Sequence, residues 1–313
     1  MNKKVIIGID TSNYTTSCAV CSLDGIILEN YKELLPVKVG ENGLRQSDAV
    51  FAHVKNFQII SKKIKEKHAE YEIVAIGYSS YPRDVDGSYM PCFLVGSAVA
   101  EMISALFNIP AFHFSHQAGH IQAALYSSKL ETDDKFVAFH VSGGTTEILI
   151  VTPDKSSFNI SLLGGSIDLH AGQAIDRIGV KMGLKFPCGK EIEQLALENQ
   201  IKTPNCKICV NQFECNLSGL ENLALKLYNE SKNPNLVSAF VLDFVFKTIS
   251  KITENIRNKF GDIKIVYAGG VMSNSIIKNN LSSKFKDIYF AEPQFSTDNA
   301  CGVALLARKA FIG

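Results

Sequence analysis

One ordering of strands and helices occurs twice along this chain, and that repetition limits the fold more than any single residue does. From Lys4 the runs VIIGID, TTSCAVCS and GIILENYKELL read as three strands, broken at Asn13 and at Asp24-Gly25. The stretch from Ser47 to about Lys67 places Val50, Val54, Phe57, Ile60 and Ile64 at helical spacing, opposite a lysine-rich face. A strand IVAIGYSS, a helix from Phe93 to Phe107, a short strand IPAFHF and a helix from about His116 follow. At Phe136 the order restarts with FVAFHVSG, TTEILIVT and FNISLLGG. Helices over 169–182, 190–199, 217–230 and 235–259 lead to the strand IKIVYAGG, a helix from Val271, the strand DIYFAE and a last helix from Asn299. A polar stretch, SKLETDD, separates the copies. The pattern predicts a duplicated α/β fold: one half over residues 1–130, the other over 131–313, the last helix packing back on the first half, and a ligand cleft between them.

Composition supports two cores. The chain has 313 residues, of which 46% are hydrophobic and 20% charged. Lysine and arginine number 32 against 31 aspartates and glutamates, a net charge of +1, so no overall positive field gathers nucleic acid and any RNA contact is local or shared with a partner. The apolar run Val5 to Ile9 stops at Asp10, far short of a signal core or a membrane span, which predicts a cytoplasmic protein with no membrane contact. Eight cysteines in so long a chain read as reduced thiols.

Three strand ends carry turns of small residues: Gly8-Ile9-Asp10-Thr11-Ser12, Ser142-Gly143-Gly144-Thr145-Thr146 and Ala268-Gly269-Gly270-Val271. Each leaves main-chain N–H groups uncovered, and the third is predicted to open a helix, where an anion gains from both the donors and the dipole. No GxxxxGK[ST] or GxGxxG is present. His116 and His120 stand four residues apart, one helical turn, so both imidazoles project from one face and suit a zinc or iron ion. Asp298 is the carboxylate best placed to complete such a site; an ordinary helix cap is the plainer reading of it. Cys206, Cys209 and Cys215, with Cys188 upstream, have spacing compatible with a structural zinc knuckle, or with simple packing of free thiols.

Taken together these motifs resemble the TsaD family of tRNA threonylcarbamoyl-transferases, once described as glycoproteases, nearly end to end. The family's GIETS is similar to Gly8 to Ser12, its HxxxH to His116 to His120, its SGGHT to Ser142 to Thr146 and its DDAAGEAFDK to Asp168 to Arg177. Phe186 to Gly189, Leu217 to Glu221, Ala268 to Asn274 and Thr297 to Ala300 are similar to its YPGG, FSGLK, AGGVAAN and TDNA. The resemblance implies the actin-like, sugar-kinase and Hsp70 (ASKHA) ATPase fold. It also implies an acyltransferase-type enzyme that places a threonylcarbamoyl group on a tRNA adenosine. One divalent metal, iron or zinc, is implied on His116, His120 and Asp298, with Asp10 as the catalytic carboxylate. ATP, ADP or threonylcarbamoyl-adenylate is implied against Thr11, Ser12, Ser142, Gly143, Gly144, Thr145, Asp168, Gly172, Asp176, Gly269, Gly270 and Asn274. Implied partners are tRNA, a TsaB-type paralogue and a TsaE-type ATPase.

The departures are specific. Family carboxylates are replaced at Tyr14, Thr15, Leu169 and Gln173, and a longer loop, Tyr81 to Pro91, stands where the family has a GPGL turn. Those four positions are expected to set activity rather than fold. The alternative to an active transferase is a nucleotide-binding scaffold that pairs with one. Protease chemistry has no support, since neither HExxH nor GxSxG occurs.

Overall fold

A computed structural model describes residues 2–12, 14–36, 44–297 and 300–313. The first copy of the repeat comprises β1 (Lys3–Ser12), β2 (Thr15–Ser22), β3 (Ile27–Leu34), α1 (Gln46–Lys67), β4 (Tyr71–Tyr81), α2 (Phe93–Phe107), β5 (Ala111–Ser115) and α3 (His116–Ser128). The second comprises β6 (Phe136–Val141), β7 (Thr146–Asp154), β8 (Ser157–Ser166), α4 (Ala171–Lys181), α5 (Gly189–Leu197), β9 (Cys209–Asn211), β10 (Glu214–Asn216), α6 (Ser218–Ser231), α7 (Pro234–Phe260), β11 (Ile265–Ala268), α8 (Ser275–Lys284), β12 (Ile288–Phe290) and α9 (Cys301–Ile312).

Pairing makes the duplication explicit. One sheet has the order β3-β2-β1-β4-β5 and the other β12-β11-β6-β7-β8-β10-β9. Each opens with an antiparallel meander, and each then adds parallel strands beside the first strand of that meander, β4 and β5 in one and β11 and β12 in the other. Crossover helices supply those parallel connections, as parallel pairing requires. The second sheet carries an extra hairpin, β9–β10, which the sequence pattern did not reveal because each strand has only three residues.

The chain divides into two compact units. One comprises residues 1–127, 152–160 and 297–313, and the other 128–151 and 161–296. In the first unit β1 and β2 are buried almost throughout, and Val5, Ile7, Ile9, Val20, Ile76 and Tyr78 form the centre of its core. Helix α9 lies against β1 and β4, where Gly8 and Gly77 leave room for Ala304 and Ala307. In the second unit α7 is the central helix: Asn233 caps it by accepting the Leu236 N–H at 3.1 Å, and fourteen of its 27 residues are buried. No helix among the described residues is long and apolar enough to cross a membrane.

Two expectations are corrected. The turn after β11 does not open a helix at Val271. Gly269 turns the chain at φ 101°, and α8 begins only at Ser275, where Asn274 Oδ1 accepts the Ile277 N–H at 3.1 Å. Helix α1 is also rotated from the orientation that its hydropathy predicts. Val54 is 49% exposed, while His53 and Asn56 face inward. The inward positions have polar partners waiting on β2 and β3, and hydrogen bonds to Thr16 and to the Glu33 carbonyl outweigh the burial of one valine.

Gly302, in the first turn of α9, stands against the main-chain carbonyl of Gly119 in α3, so that a Cβ there would collide with backbone that cannot yield. Gly302→Ala is expected to cost about 1–3 kcal/mol in denaturant unfolding. Gly219→Ala, at an open helical position in α6, is expected to be neutral or to stabilise by up to about 1 kcal/mol.

Candidate functional site

The first unit gathers its polar side chains where β1, β4 and β5 end. In the parallel pair Ile9 stands beside Tyr78, which brings the next residues, Asp10 and Ser79, together. Asp10 is 1% exposed. Its Oδ1 accepts the Ser12 N–H at 3.0 Å, and its Oδ2 accepts the Ser79 hydroxyl and lies 2.7 Å from His116 Nδ1. β5 leads directly into α3, whose first turn is capped by Ser115 Oγ accepting the Ala118 N–H at 3.1 Å. That start places His116 at Asp10 and, one turn on, His120 beside it, with Nε2 atoms 2.9 Å apart. Phe93 of α2 packs against the His116 ring at 5.9 Å between centroids.

This donor set fits a divalent ion. Asp10 holds the Nδ1–H of His116 and turns its Nε2 toward His120, the arrangement in which a carboxylate orients a metal-binding histidine. Two Nε2 atoms 2.9 Å apart suit one ion with nitrogen distances of about 2.0–2.1 Å. Among the described residues no third histidine, cysteine or carboxylate completes the set. Asp298, expected as the third ligand, lies outside the described residues.

In the second unit the turn Ser142 to Thr145 closes through the Ser142 N–H to the Thr145 carbonyl at 2.8 Å. Gly172 donates to the Ser142 carbonyl at 3.1 Å, and Val271 donates to the Val141 carbonyl at 3.1 Å, so the structure brings the turns at 142–145 and 269–271 and the start of α4 together. Around Gly143, Gly144 and Gly270 the space beyond the backbone is open. Turns of small residues with room beside them are the kind of place where an anion binds.

Several other predicted contacts have partners within the protein. Thr11 Oγ1 donates to the Cys92 carbonyl at 3.0 Å and accepts the Gly96 N–H at 3.1 Å, which ties β1 to the start of α2. Asn274 caps α8. Asp176, pushed up by burial, accepts the Cys188 N–H at 2.7 Å. Asp168 accepts the Leu217 N–H at 2.8 Å and the Ser218 hydroxyl at 2.6 Å, and takes the Ser218 and Leu169 N–H groups as well. Burial alone would raise its carboxyl, but these bonds hold it well below the usual carboxylate range.

The four cysteines are not brought together. Cys188 packs on Gly179 and Cys215 is buried in β10, while Cys209 is exposed; no group of three or more metal-type side chains occurs among the described residues. Burial pushes the Cys215 thiol up to about 12. Leu169 is a core residue at 7% exposure, and Gln173 Oε1 accepts the His170 N–H at 3.4 Å to cap α4. Both positions therefore have a part in local structure. Ser79 was not legible in the sequence, because a serine late in a strand carries no signal until β1 is paired beside it.

Comparison with solved structures defines the class. The chain superposes on full-length HypF in its phosphate- and nucleotide-bound form with a TM-score of 0.59 at 14% identity, covering 100% of this chain and 47% of that one. It superposes on component A of (R)-2-hydroxyglutaryl-CoA dehydratase from Acidaminococcus fermentans with a TM-score of 0.57 at 14% identity, covering 99% of both. The fold is that of the ASKHA-type ATPases and sugar kinases. Within that class, residues 41–305 match the TsaD model, tRNA N6-adenosine threonylcarbamoyltransferase, and the chain belongs to this family of tRNA-modifying transferases. The enzyme of that name from Streptococcus suis (strain 05ZYH33) is 28% identical over 98% of this chain and 92% of its own length; that from Buchnera aphidicola subsp. Schizaphis graminum is 27% identical over 96% and 91%.

Replacing Asp168 by Asn should weaken the start of α6 by about 0.5–2 kcal/mol, the cost typical of a lost cap. A carboxyl held low stabilises the fold above its unfolded pKa of about 3.9 and loses that effect as pH falls through its folded value. The wild type's advantage in urea melts should thus be full at pH 6 and shrink progressively below about pH 4.

Proposed function

We propose that this protein transfers a threonylcarbamoyl group from its adenylate to the N6 amine of a tRNA adenosine, with one divalent metal held by His116 and His120. The pair of Nε2 atoms 2.9 Å apart, with His116 oriented by the buried Asp10, carries the proposal. A chain that only held a nucleotide would have no use for a chelating pair with a carboxylate behind it. Asp298 is the third ligand in this reading. The ion, when bound, supplies a Lewis acid for the carbamoyl oxygens.

The chain's own residues do the rest. Asp10 keeps the proton of His116 on Nδ1 and fixes the ring, which makes it a positioning carboxylate; Ser79 and the Ser12 N–H in turn hold Asp10. The N–H groups of Gly143, Gly144 and Gly270 bind the phosphate that leaves with the adenosine. With a net charge of +1, tRNA is gathered by a local surface or by a partner, for which a TsaB-type paralogue and a TsaE-type ATPase are proposed.

Protein purified without chelator is expected to contain one equivalent of iron or zinc by elemental analysis. His120→Ala should lose it, and Asp10→Asn should bind it about 10–100-fold more weakly. Unchanged metal content in His120→Ala would remove the basis of the proposal. Gly270→Val places a side chain in open space beside the turn, so it should leave the unliganded melting temperature unchanged while abolishing thermal stabilisation by ATP. The decisive functional measurement is restoration of threonylcarbamoyladenosine in tRNA of cells lacking their own enzyme, by wild type and not by His120→Ala.

A further inference from the structure

The residues on either side of His116 are held by one stretch of chain, the long loop that joins β4 to α2. Ser115, the last residue of β5, is 1% exposed, and its hydroxyl donates to Asp84 Oδ2 at 2.5 Å. Gln117, the second residue of α3, donates its main-chain N–H to the Pro82 carbonyl at 3.1 Å. His116 stands between these two anchors.

The loop is itself braced. Tyr81 donates its hydroxyl to the other carboxylate oxygen of Asp84 at 3.0 Å. The Arg83 N–H donates to Ser88 Oγ at 3.0 Å, and the Ser88 N–H to the Val85 carbonyl at 3.1 Å. Where the loop meets α2, the Cys92 N–H donates to Gln46 Oε1 at 3.3 Å and the Cys92 carbonyl accepts the Thr11 hydroxyl. Asp84 is exposed, yet each of its oxygens is taken by a hydroxyl donor.

A serine hydroxyl has one proton and two lone pairs. Asp84 takes the proton of Ser115, which leaves the lone pairs to the first turn of α3, where Ser115 Oγ accepts the Ala118 N–H. The separation of the His116 and His120 Nε2 atoms thus depends on two settings. Asp10 sets the direction of the His116 ring, and the anchors at Ser115 and Gln117 set where α3 begins. A metal ion is exacting about the result, since its ligand distances hold to within about 0.2 Å.

We propose that Asp84 is a positioning residue for the chelating pair: through the Ser115 hydroxyl it fixes the start of α3, and with it the places of His116 and His120. It touches no ligand. The role rests on the metal reading proposed above.

Co(II) titration of the metal-free full chain tests it, read as Kd and as the visible band that reports coordination geometry, beside the melting temperature. Asp84→Ala is expected to bind Co(II) about 10–100-fold more weakly and to shift the band. Asp84→Asn, whose amide offers Ser115 an oxygen and Tyr81 a donor, should stay within about 3-fold of wild type with the same band. In a Ser115→Ala background, Asp84→Ala should add nothing, because both act through one hydrogen bond. A lowered melting temperature with Kd and band unchanged overturns the role and leaves Asp84 a group that only stabilises its loop. An Asp84→Asn chain as weak as Asp84→Ala overturns it too, since the carboxylate's charge is then what draws the cation. Should Asp84→Ala fail to fold, Ser115→Ala decides by the same two readings. A wild-type chain that binds no Co(II), or a His120→Ala chain that binds it equally well, overturns the metal reading and the role together. Co(II) held by wild type and lost in His120→Ala, with Asp84→Ala like wild type, overturns the role alone.

Discussion

Asp10 is a carboxylate almost wholly removed from water, and the first unit is arranged around the cost of putting it there. An isolated buried charge is not tolerated, so its oxygens are taken up by a main-chain N–H, a serine hydroxyl and an imidazole. Each partner comes from a different element: Ser12 from the end of β1, Ser79 from the end of β4, His116 from the start of α3. Holding them together demands that β1, β4 and β5 lie side by side and end at one level. The same requirement places His120 one turn further on, beside His116. The carboxylate thus couples the sheet order to the chelating pair.

Close helix packing serves the same end of the sheet. α9 reaches β1 and α3 only because Gly8, Gly119 and Gly302 carry no side chain at the crossing. In the second unit small residues work differently. Gly269 supplies a backbone turn that other residues rarely adopt, and Gly143, Gly144 and Gly270 have open space where a Cβ would stand. One set of glycines lets elements touch, and the other leaves room beside its turns. Spacing in the sequence does not distinguish the two uses.

How far the site could be read beforehand depended on the range of the interaction. The i, i+4 spacing of His116 and His120 is a property of one helix, and the structure places their Nε2 atoms as that spacing implies. Asp168, Thr11 and Asn274 sit in recognisable motifs, yet their side chains are bound to the protein itself, Asp168 to the first turn of α6 and Thr11 to α2. A motif fixes where a residue stands in the chain and leaves open whether a distant N–H will claim it first. The same holds for the cysteines, whose spacing allowed a zinc site, while Cys188 and Cys215 are buried in the core, Cys209 is exposed, and no group of three metal-type side chains forms among the described residues.

What the sequence determined by itself was local or periodic: the repeated order of strands and helices, the duplicated fold that follows, the histidine pair and the glycine turns. Strand alternation, helical period and turn chemistry act over a few residues, and a duplicated pattern states its own architecture. What only the tertiary structure decided was which partners the polar groups found. The rotation of α1 that turns His53 and Asn56 inward depended on Thr16 and on the Glu33 carbonyl, 37 and 23 residues away along the chain. The pairing of Asp10 with Ser79 and His116 spans 69 and 106 residues. Hydrogen bonds of that reach are set by sheet register and helix crossing, and neither exists until the chain has folded.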